Sequence, residues 1–117
     1  MTPSSTLYGI PNCDTVKKAR AFLAARGVES RFHDYKKEGV PADRLQAWVL
    51  AFGWERVLNR RGTAWRRLDP ATQAGVTDAA SAMVLMRSQP SVIKRPVLEH
   101  GDALRLGFDA DDWVQLL

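Results

Sequence analysis

The sequence predicts an α/β fold whose elements follow the order β-α-β, helices, β-β-α. At the N-terminal end, β-prone segments at residues 7–10 and 31–35 flank an apolar stripe with helical spacing. At the C-terminal end, two short β-prone segments flank a His-Gly-Asp turn and precede a last helical pattern. Residues 41–89, between these two groups of strands, have the periodicity of helices.

The first strand and the first helix place the single cysteine of the chain at a helix start. Pro11 and Asn12 end the strand, because proline removes a ladder donor and asparagine favours turns. The helix that follows carries its apolar residues at helical spacing, namely Val16, Ala19, Phe22 and Leu23. Gly27 is a suitable C-terminal stop for it. Cys13 is therefore expected at the N-terminus of this helix or one residue inside it.

The second strand completes a βαβ unit, which requires a parallel pairing and a right-handed crossover. We expect it to cover residues 31–35 and to be followed by a polar loop through Gly39. Pro41 then begins a helix that Gly53 ends. Its apolar residues follow helical spacing, namely Leu45, Trp48, Val49 and Phe52.

The rest of the central region is predicted to hold shorter helices. A turn with a short helical piece covers residues 58–68, and the Asp-Pro pair at 69–70 breaks it. Residues 77–78 are capping types for a further helix, which the Gln-Pro pair at 89–90 stops. One face of that helix is shared by Ala80, Met83, Val84 and Arg87.

The C-terminal segments predict the ββα part of the fold. Residues 91–93 are expected to form a short strand, and residues 97–99 and 103–106 a hairpin. Asp109 begins the last helix and places further carboxylates in its first turn. The apolar residues of this helix are Trp113, Leu116 and Leu117.

The length of 117 residues predicts a single domain. Its core is expected at about residues 6–40 and 90–117, with a helical insertion at about 41–89. The sequence contains no apolar run of about 18 residues, so we expect no transmembrane helix. The N-terminal residues lack the pattern of a signal peptide. A single cysteine excludes an internal disulfide and a cysteine-based zinc site, so we expect a cytoplasmic protein without a metal.

The net charge of +4 is unevenly distributed along the chain. Residues 56–95 contain eight basic and two acidic side chains, which gives this stretch a charge of +6. Such a patch attracts either nucleic acid or a small anionic substrate. Nucleic acid is the weaker interpretation, because the sequence lacks interleaved aromatic and basic residues and any helix-turn-helix or zinc signature.

The position of Cys13 predicts a reactive thiol. A lone cysteine is often a small buried hydrophobe, but this one has polar neighbours. Free N–H groups and the helix dipole favour the thiolate there; Lys17 and Lys18 add to this effect, and Asp14 opposes it. Val16 stands where a Cys-x-x-Cys motif would need its second cysteine. Cys13 must therefore act as a monothiol whose adducts another thiol resolves, and glutathione is the candidate.

Other residues leave alternatives open. A cysteine hydrolase needs a histidine partner, but neither His33 nor His100 has a spacing that indicates partnership, so a structural or solvent role is favoured for both. Arg60, Arg61 and Arg95 have the planar donors that bind carboxylates and oxyanions. From spacing alone, solvated surface charges are the favoured interpretation of these arginines.

Several segments carry a family resemblance. They are residues 8–19 (YGIPNCDTVKKA), 58–63 (LNRRGT) and 93–96 (IKRP), with residues 77–81 (TDAAS) and 106–108 (LGF) in support. Together they resemble the arsenate reductase (ArsC)/Spx family, and most closely its YffB-like branch. The resemblance implies a thioredoxin-like βαβ–ββα core with a helical insertion, which agrees with the order of elements above.

The resemblance also implies roles for site residues. Cys13 corresponds to the redox nucleophile, and the Arg95-Pro96 bond corresponds to a cis peptide that faces it. Arg95 corresponds to an anion-binding arginine. Together with Asn12, Arg61 and Pro96 it makes up the expected substrate- or glutathione-binding set. Arg61 corresponds to another anion-binding arginine of the family pattern. The neighbouring Arg60 is the less good match to that position.

Two departures from the family pattern bear on function. A third arginine of the arsenate reductases falls on Gly107, although Arg105 is close by. The Spx regulators, which bind RNA polymerase, often carry a Cys-x-x-Cys switch that Val16 removes. We therefore expect a monomeric, glutathione-dependent thiol/disulfide oxidoreductase. The alternatives are a glutathione/glutaredoxin-dependent arsenate reductase and a non-catalytic Spx-like regulator that binds RNA polymerase.

Overall fold

The structure is a computed structural model and describes residues 3–117. It divides into two compact units. The sheet unit contains the chain up to Glu38 together with Arg95–Leu117, and the helical unit contains Gly39–Lys94. The predicted insertion, 41–89, falls inside the helical unit. That both units belong to a single domain stays a prediction.

The sheet unit begins with a βαβ arrangement. Strand β1 (Ser5–Gly9) is followed by helix α1 (Asp14–Ala25) and by strand β2 (Arg31–Asp34), which pairs with β1 in parallel. Helix α1 ends where the sequence predicts, because Gly27 adopts the left-handed backbone (φ 68°) that favours glycine.

The second strand is shorter than predicted. It stops at Asp34, and a four-residue helix, α2 (Tyr35–Glu38), replaces the expected loop. The Oδ1 atom of Asp34 accepts a hydrogen bond from the Lys36 N–H (2.9 Å), and Oε2 of Glu38 accepts one from the Asp34 N–H (3.2 Å). Such bonds from side chain to backbone compete with a strand ladder, so the chain turns here.

In chain order, the helices of the helical unit are α3 (Ala42–Phe52), α4 (Trp54–Val57), α5 (Thr63–Arg66), α6 (Pro70–Ala74) and α7 (Ala79–Ser88). Helices α3, α5 and α7 lie where the sequence predicts helices, whereas the short helices α4 and α6 were not predicted. Pro70 was expected only to break a helix, but it also starts α6, because proline is tolerated in the first turn of a helix. Helix α3 ends at Gly53 as predicted, and three of its four predicted apolar residues are buried: Leu45, Trp48 and Val49. Helix α7 begins with a capping box in which Asp78 and Ser81 bond to each other's backbone N–H groups.

Helix α7 does not bury the face that its sequence suggests. Its buried residues are Ala82, Leu85 and Met86, whereas Val84, on the predicted face, is 71% exposed. Both faces of this helix are apolar, so periodicity cannot choose between them. Packing of α7 against α3 and α4 makes the choice.

The strand expected at residues 91–93 is also absent from the described chain. Pro90–Val92 form a 3₁₀ turn instead, and Ile93 alone makes an isolated antiparallel bridge, to Leu58. Proline starts such a turn easily because its φ is fixed. The N–H groups of Val92 and Ile93 are then used within the turn, on the carbonyls of Gln89 and Pro90.

The C-terminal part of the sheet unit agrees with the prediction. Strands β3 (Val97–His100) and β4 (Ala103–Leu106) form the hairpin, and helix α8 (Ala110–Leu116) follows, capped by the Asp109 carboxylate. Strand β3 is antiparallel to both β1 and β4, which gives the sheet order β2-β1-β3-β4. This is the βαβ–ββα arrangement, so the predicted fold class is confirmed.

The apolar core of the sheet unit lies on one face of its sheet. Leu7 and Leu98 are register partners on that face, and α1 and α8 cover them. The fully buried members of this core are Leu7, Ala19, Leu23, Leu98 and Trp113. Phe22 and Phe108 extend it through edge-to-face contacts with Trp113. In residues 3–117, no helix has the length and the apolar character needed to cross a membrane.

Candidate active site

The centre of the candidate site is Cys13, the N-cap residue of α1. Its backbone is extended (φ −141°, ψ 124°), and its carbonyl accepts the first helical hydrogen bond, from the Lys17 N–H at 2.9 Å. Its side chain is half-buried. The predicted location at the helix N-terminus is therefore the observed one. Neither Asp14 nor Asn12 caps the helix in its place.

The surroundings of Cys13 lower the pKa of its thiol. Burial is the largest single influence and acts in the opposite direction, because it disfavours the charged thiolate. The backbone N–H of Val16, the side chain of Arg95 and the backbone N–H of Thr15 outweigh it. The sulfur makes no cap hydrogen bond of close geometry, so we interpret the two backbone contributions as long, polarising interactions. The balance favours the thiolate, as the sequence predicts.

Arg95 is the charged partner of this thiolate. Its guanidinium lies near the Cys13 sulfur and lowers the pKa of the thiol, because its N–H donors and its positive charge both favour the thiolate. The Arg95–Pro96 peptide bond is cis, as the resemblance implies. The buried Pro96 leads directly into β3, and its carbonyl accepts a hydrogen bond from the Gly107 N–H (2.7 Å). Two of the predicted site residues, Cys13 and Arg95, are thus brought together.

The other predicted residues of the binding set are placed less closely. Asn12 is exposed in the turn between β1 and α1, directly before Cys13. Arg61 is exposed in the helical unit, in the segment after α4. Their roles in binding stay predictions.

A basic cavity of about 350 Å³ surrounds Arg61 in the helical unit. Its lining comprises Arg60 and Arg61 together with Glu55, Arg56, Leu58, Asn59 and Lys94. The Arg60 side chain is already engaged, since it pairs with Glu55 (3.6 Å) and lies over the Trp54 ring. Among the described residues, Arg61 has no ion pair or ring contact. Arg61 is therefore the more available of the two for an anionic ligand.

Gly107 lies at the position that corresponds to the third arginine of the family pattern, and the backbone there favours glycine. Gly107 adopts a positive φ (82°), and its N–H bonds to the Pro96 carbonyl, so a larger residue would be strained in this turn. The neighbouring Arg105 is committed elsewhere. Its Nε donates to Oδ2 of Asp112 at 2.7 Å, and another of its nitrogens bonds to the Leu104 carbonyl. Arg105 thus binds α8 instead of filling the gap.

The two histidines take the structural roles that the sequence favours. His33 is buried on β2, where its ring packs against Tyr8 (centroids 5.0 Å apart). His100 ends β3, instead of lying in the hairpin turn, and its Nδ1 is 2.6 Å from the Ser5 hydroxyl at the far end of β1 from Cys13. Among the described residues, no three His, Cys, Asp or Glu side chains are grouped so that they could hold a metal ion.

Sequence reasoning missed a buried polar cluster close to the site. The Tyr8 hydroxyl donates to Oε1 of Glu99 at 2.7 Å, and the Tyr8 ring stacks on Tyr35. A signal was present, because Tyr8 and Glu99 alternate with the core residues Leu7 and Leu98 and must therefore share the opposite face of the sheet. Tyr35 gave no such signal, since it was assigned to a strand that ends one residue before it.

The described geometry agrees with the comparisons to known proteins. The model of the ArsC family matches residues 8–116. The chain belongs to the ArsC family. The solved structure of the YffB protein aligns with a TM-score of 0.90 and 47% identity, over 96% of this chain and 97% of that one. This likeness confirms the thioredoxin-like fold and the resemblance to the YffB-like branch.

Two other relatives of this ArsC-family chain are informative. An uncharacterised protein of Haemophilus influenzae is 39% identical over 109 residues, which is 92% of this chain and 94% of the relative. The global transcriptional regulator Spx of Streptococcus pyogenes is 26% identical over 111 residues, covering 92% of this chain and 80% of the regulator. The ArsC-family fold is that of a thiol-based oxidoreductase, and Cys13 is the thiol that it places at a helix N-terminus.

Proposed function

We propose that the protein is a glutathione-dependent thiol/disulfide oxidoreductase with Cys13 as its nucleophile. The observation that carries this proposal is the position of Cys13 at the start of α1, where the nearby Arg95 side chain lowers the pKa of the thiol. A thiolate stabilised in this way attacks disulfides at neutral pH. The sequence contains no second cysteine, so the resulting adduct must be resolved by an external thiol.

The proposed reaction takes place in two exchange steps. The Cys13 thiolate attacks the glutathione sulfur of a mixed disulfide between glutathione and another thiol. A bond forms between Cys13 and glutathione, and the other thiol leaves as a thiolate that takes a proton from water. The thiolate of a second glutathione then attacks the bound glutathione sulfur. This step releases glutathione disulfide and restores the Cys13 thiolate, so the substrate is reduced and glutathione is oxidised.

Arg95 has a role in both steps. Its charge stabilises the thiolate that attacks in the first step and the thiolate that leaves in the second. Glutathione carries two carboxylates, which suit the planar donors of arginine, so we assign its binding to Arg61 and Arg95 with Asn12 and Pro96 beside the sulfur. We place this reaction in the cytoplasm, where the glutathione pool keeps thiols reduced, and we propose a monomer.

The first test is adduct formation. The reduced protein is incubated with glutathione disulfide and weighed by intact mass spectrometry. We expect the mass of one glutathionyl group per chain, removed again by reduced glutathione. Peptide mapping should place this group on Cys13. A protein that keeps its unmodified mass under these conditions would contradict the proposal.

Arsenate reduction is the second candidate, because the family is named for it. Arsenate is an oxyanion whose charge must be held while a thiolate attacks, and the loss of one preorganised donor from such a site typically costs about 100-fold or more in rate. Here Gly107 occupies the third arginine position, and Arg105 is paired with Asp112.

We therefore expect poor arsenate turnover by this protein even when glutathione and glutaredoxin are supplied. The measurement is arsenite production, compared with the reduction of a glutathione mixed disulfide by the same preparation. An Arg105→Ala variant serves as a control, and it should leave the low arsenate rate unchanged. Efficient arsenate turnover that falls in this variant would show that Arg105 acts as the missing donor.

A further inference from the structure

The basic cavity of the helical unit has more positive charge than the proposed function uses. Four of its lining residues are basic and only Glu55 is acidic, which leaves an excess of three positive charges. Because Arg60 pairs with Glu55 at 3.6 Å, Arg56, Arg61 and Lys94 carry this excess, and none of the three has an ion pair within the described chain. Glutathione has two carboxylates and one ammonium group, so its net charge of about −1 compensates only part of the excess.

Hydrogen bonds fix the backbone around the basic cavity. The Lys94 N–H donates to the Val57 carbonyl at 2.8 Å. The Asn59 N–H donates to the Val92 carbonyl, also at 2.8 Å. These two bonds tie the end of α4 to the segment that ends the helical unit. The lysine and the arginines of the cavity therefore come from two distant segments of the chain that are held together by the backbone.

Aromatic rings restrain two of the arginines. The guanidinium carbon of Arg56 lies 5.5 Å from the centroid of the Phe52 ring, and that of Arg60 lies 5.6 Å from the Trp54 centroid. Such a contact uses the face of the guanidinium, so the N–H donors in its plane stay available to an anion. It also limits the rotamers of a long side chain, which reduces the entropy that ligand binding costs.

The lining indicates the chemical class of the ligand. Of the lining residues in the described chain, Leu58 alone is apolar, so a ligand with a large apolar part would find little surface to contact. A carboxylate is planar and is satisfied by one guanidinium, whereas a phosphate group is tetrahedral and accepts hydrogen bonds from several directions. Donors from two chain segments therefore suit phosphate better. Two linked phosphate groups carry about three negative charges, which matches the excess.

We propose that the basic cavity binds a small ligand with two or more linked phosphate groups. Its volume of about 350 Å³ lies at the lower end of the range for small-molecule sites. A nucleic acid strand fits less well, because its phosphates are spread along a backbone whereas these cations converge on one cavity. The inference goes beyond the proposed function, since it requires neither Cys13 nor glutathione and shares only Arg61 with it.

The test is isothermal titration calorimetry of the reduced full-length protein with sodium pyrophosphate at physiological ionic strength. We expect one site per chain. Citrate has a similar charge but only carboxylates, and it should bind about tenfold more weakly or worse. Adenosine diphosphate distinguishes two sources of the same chemistry: affinity equal to that of pyrophosphate would assign the site to the phosphate chain alone, and higher affinity would assign it to a nucleotide.

Substitutions in the lining locate the binding. Arg56→Gln and Lys94→Gln should each weaken pyrophosphate binding by about fivefold, because each removes a charged donor at an exposed position. Arg67→Gln is the matched control, since Arg67 is an exposed arginine of the same unit outside the lining; its affinity should stay within about twofold of the wild type. Glu55→Gln should strengthen binding by about threefold, because it removes a negative charge and releases Arg60.

Several results would overturn the inference. One is pyrophosphate that does not bind at physiological ionic strength, and another is an equal loss of affinity in Arg56→Gln and Arg67→Gln, because both indicate a diffuse, salt-screened basic surface. Citrate that binds as tightly as pyrophosphate would contradict the phosphate class. A single-stranded oligonucleotide that binds more tightly would assign the surface to nucleic acid instead. The replaced side chains are exposed, so we expect the variants to melt near the wild-type temperature.

Failure of this inference is distinguishable from failure of the proposed function. The titration requires no glutathione, so a protein that binds pyrophosphate but forms no glutathione adduct would refute only the function. A protein that forms the adduct but does not bind pyrophosphate would refute only the phosphate site.

Discussion

Replacing Cys13 by serine should abolish both the glutathione adduct and all reduction of glutathione mixed disulfides. A serine hydroxyl does not attack disulfide sulfur under these conditions, because it lacks the accessible anion that the thiol provides. The sequence contains no other cysteine that could take over. Intact mass spectrometry and a coupled glutathione-reductase assay measure the two effects.

The control for Cys13→Ser is its thermal stability. The side chain is half-buried and of similar size in the two residues, so we expect melting temperatures within a few degrees of each other. Turnover that survives the substitution would contradict a cysteine mechanism.

The same variant tests the regulator alternative, which the match to Spx supports. The position of the second cysteine of a Cys-x-x-Cys switch holds Val16, whose side chain is fully buried in α1. A dithiol switch is thus impossible in this chain. Binding of RNA polymerase that persists in Cys13→Ser, in a protein without thiol chemistry, would favour a non-catalytic regulator.

Replacing Arg95 by alanine should raise the pKa of the Cys13 thiol and slow adduct formation at neutral pH. The substitution removes the nearby guanidinium, whose N–H donors and charge help to outweigh the effect of burial on this pKa. An opposite charge within reach typically shifts a pKa by about one to three units, so we expect a midpoint rise of about one unit and a roughly tenfold lower thiolate fraction below it. Alkylation rate against pH measures the midpoint, and adduct formation with glutathione disulfide measures the consequence.

Arg105→Ala is the matched control for Arg95→Ala. Both residues are half-buried arginines of the sheet unit, but Arg105 pairs with Asp112 on α8 and should leave the Cys13 midpoint unchanged. Arg95→Lys keeps the charge without the planar fork and should give an intermediate midpoint. If Arg95→Ala reacts as fast as the wild type but melts much earlier, Arg95 has a structural role and our assignment is wrong.

The sequence by itself determined the elements whose causes are local. Asp109 caps the last helix through its own side chain, and Gly27 ends the first helix because it tolerates a positive φ. The placement of Cys13 at a helix start also follows from its immediate neighbours, Pro11 and Asn12, which end the strand before it. In these cases the deciding interaction joins residues a few positions apart, so the sequence alone is enough to predict it.

Only the tertiary structure decided the features that depend on distant residues. It selected the buried face of α7, which has two apolar faces, and it replaced the strand at 91–93 by a turn with a single bridge to Leu58. It also brought Arg95 to Cys13 and turned Arg105 towards Asp112. Sequence reasoning assigned the first of these arginines through a family resemblance and left the second open.

The hydrogen bond between Tyr8 and Glu99 shows the physical reason most clearly. Tyr8 and Glu99 are 91 positions apart, and their hydrogen bond exists only because β1 and β3 are neighbours in the sheet. Local propensity favours a helix or a strand in each segment, but it does not determine which side chains from distant segments will share a buried face. That choice is made by strand pairing and by packing, which bring together polar groups that must then satisfy one another.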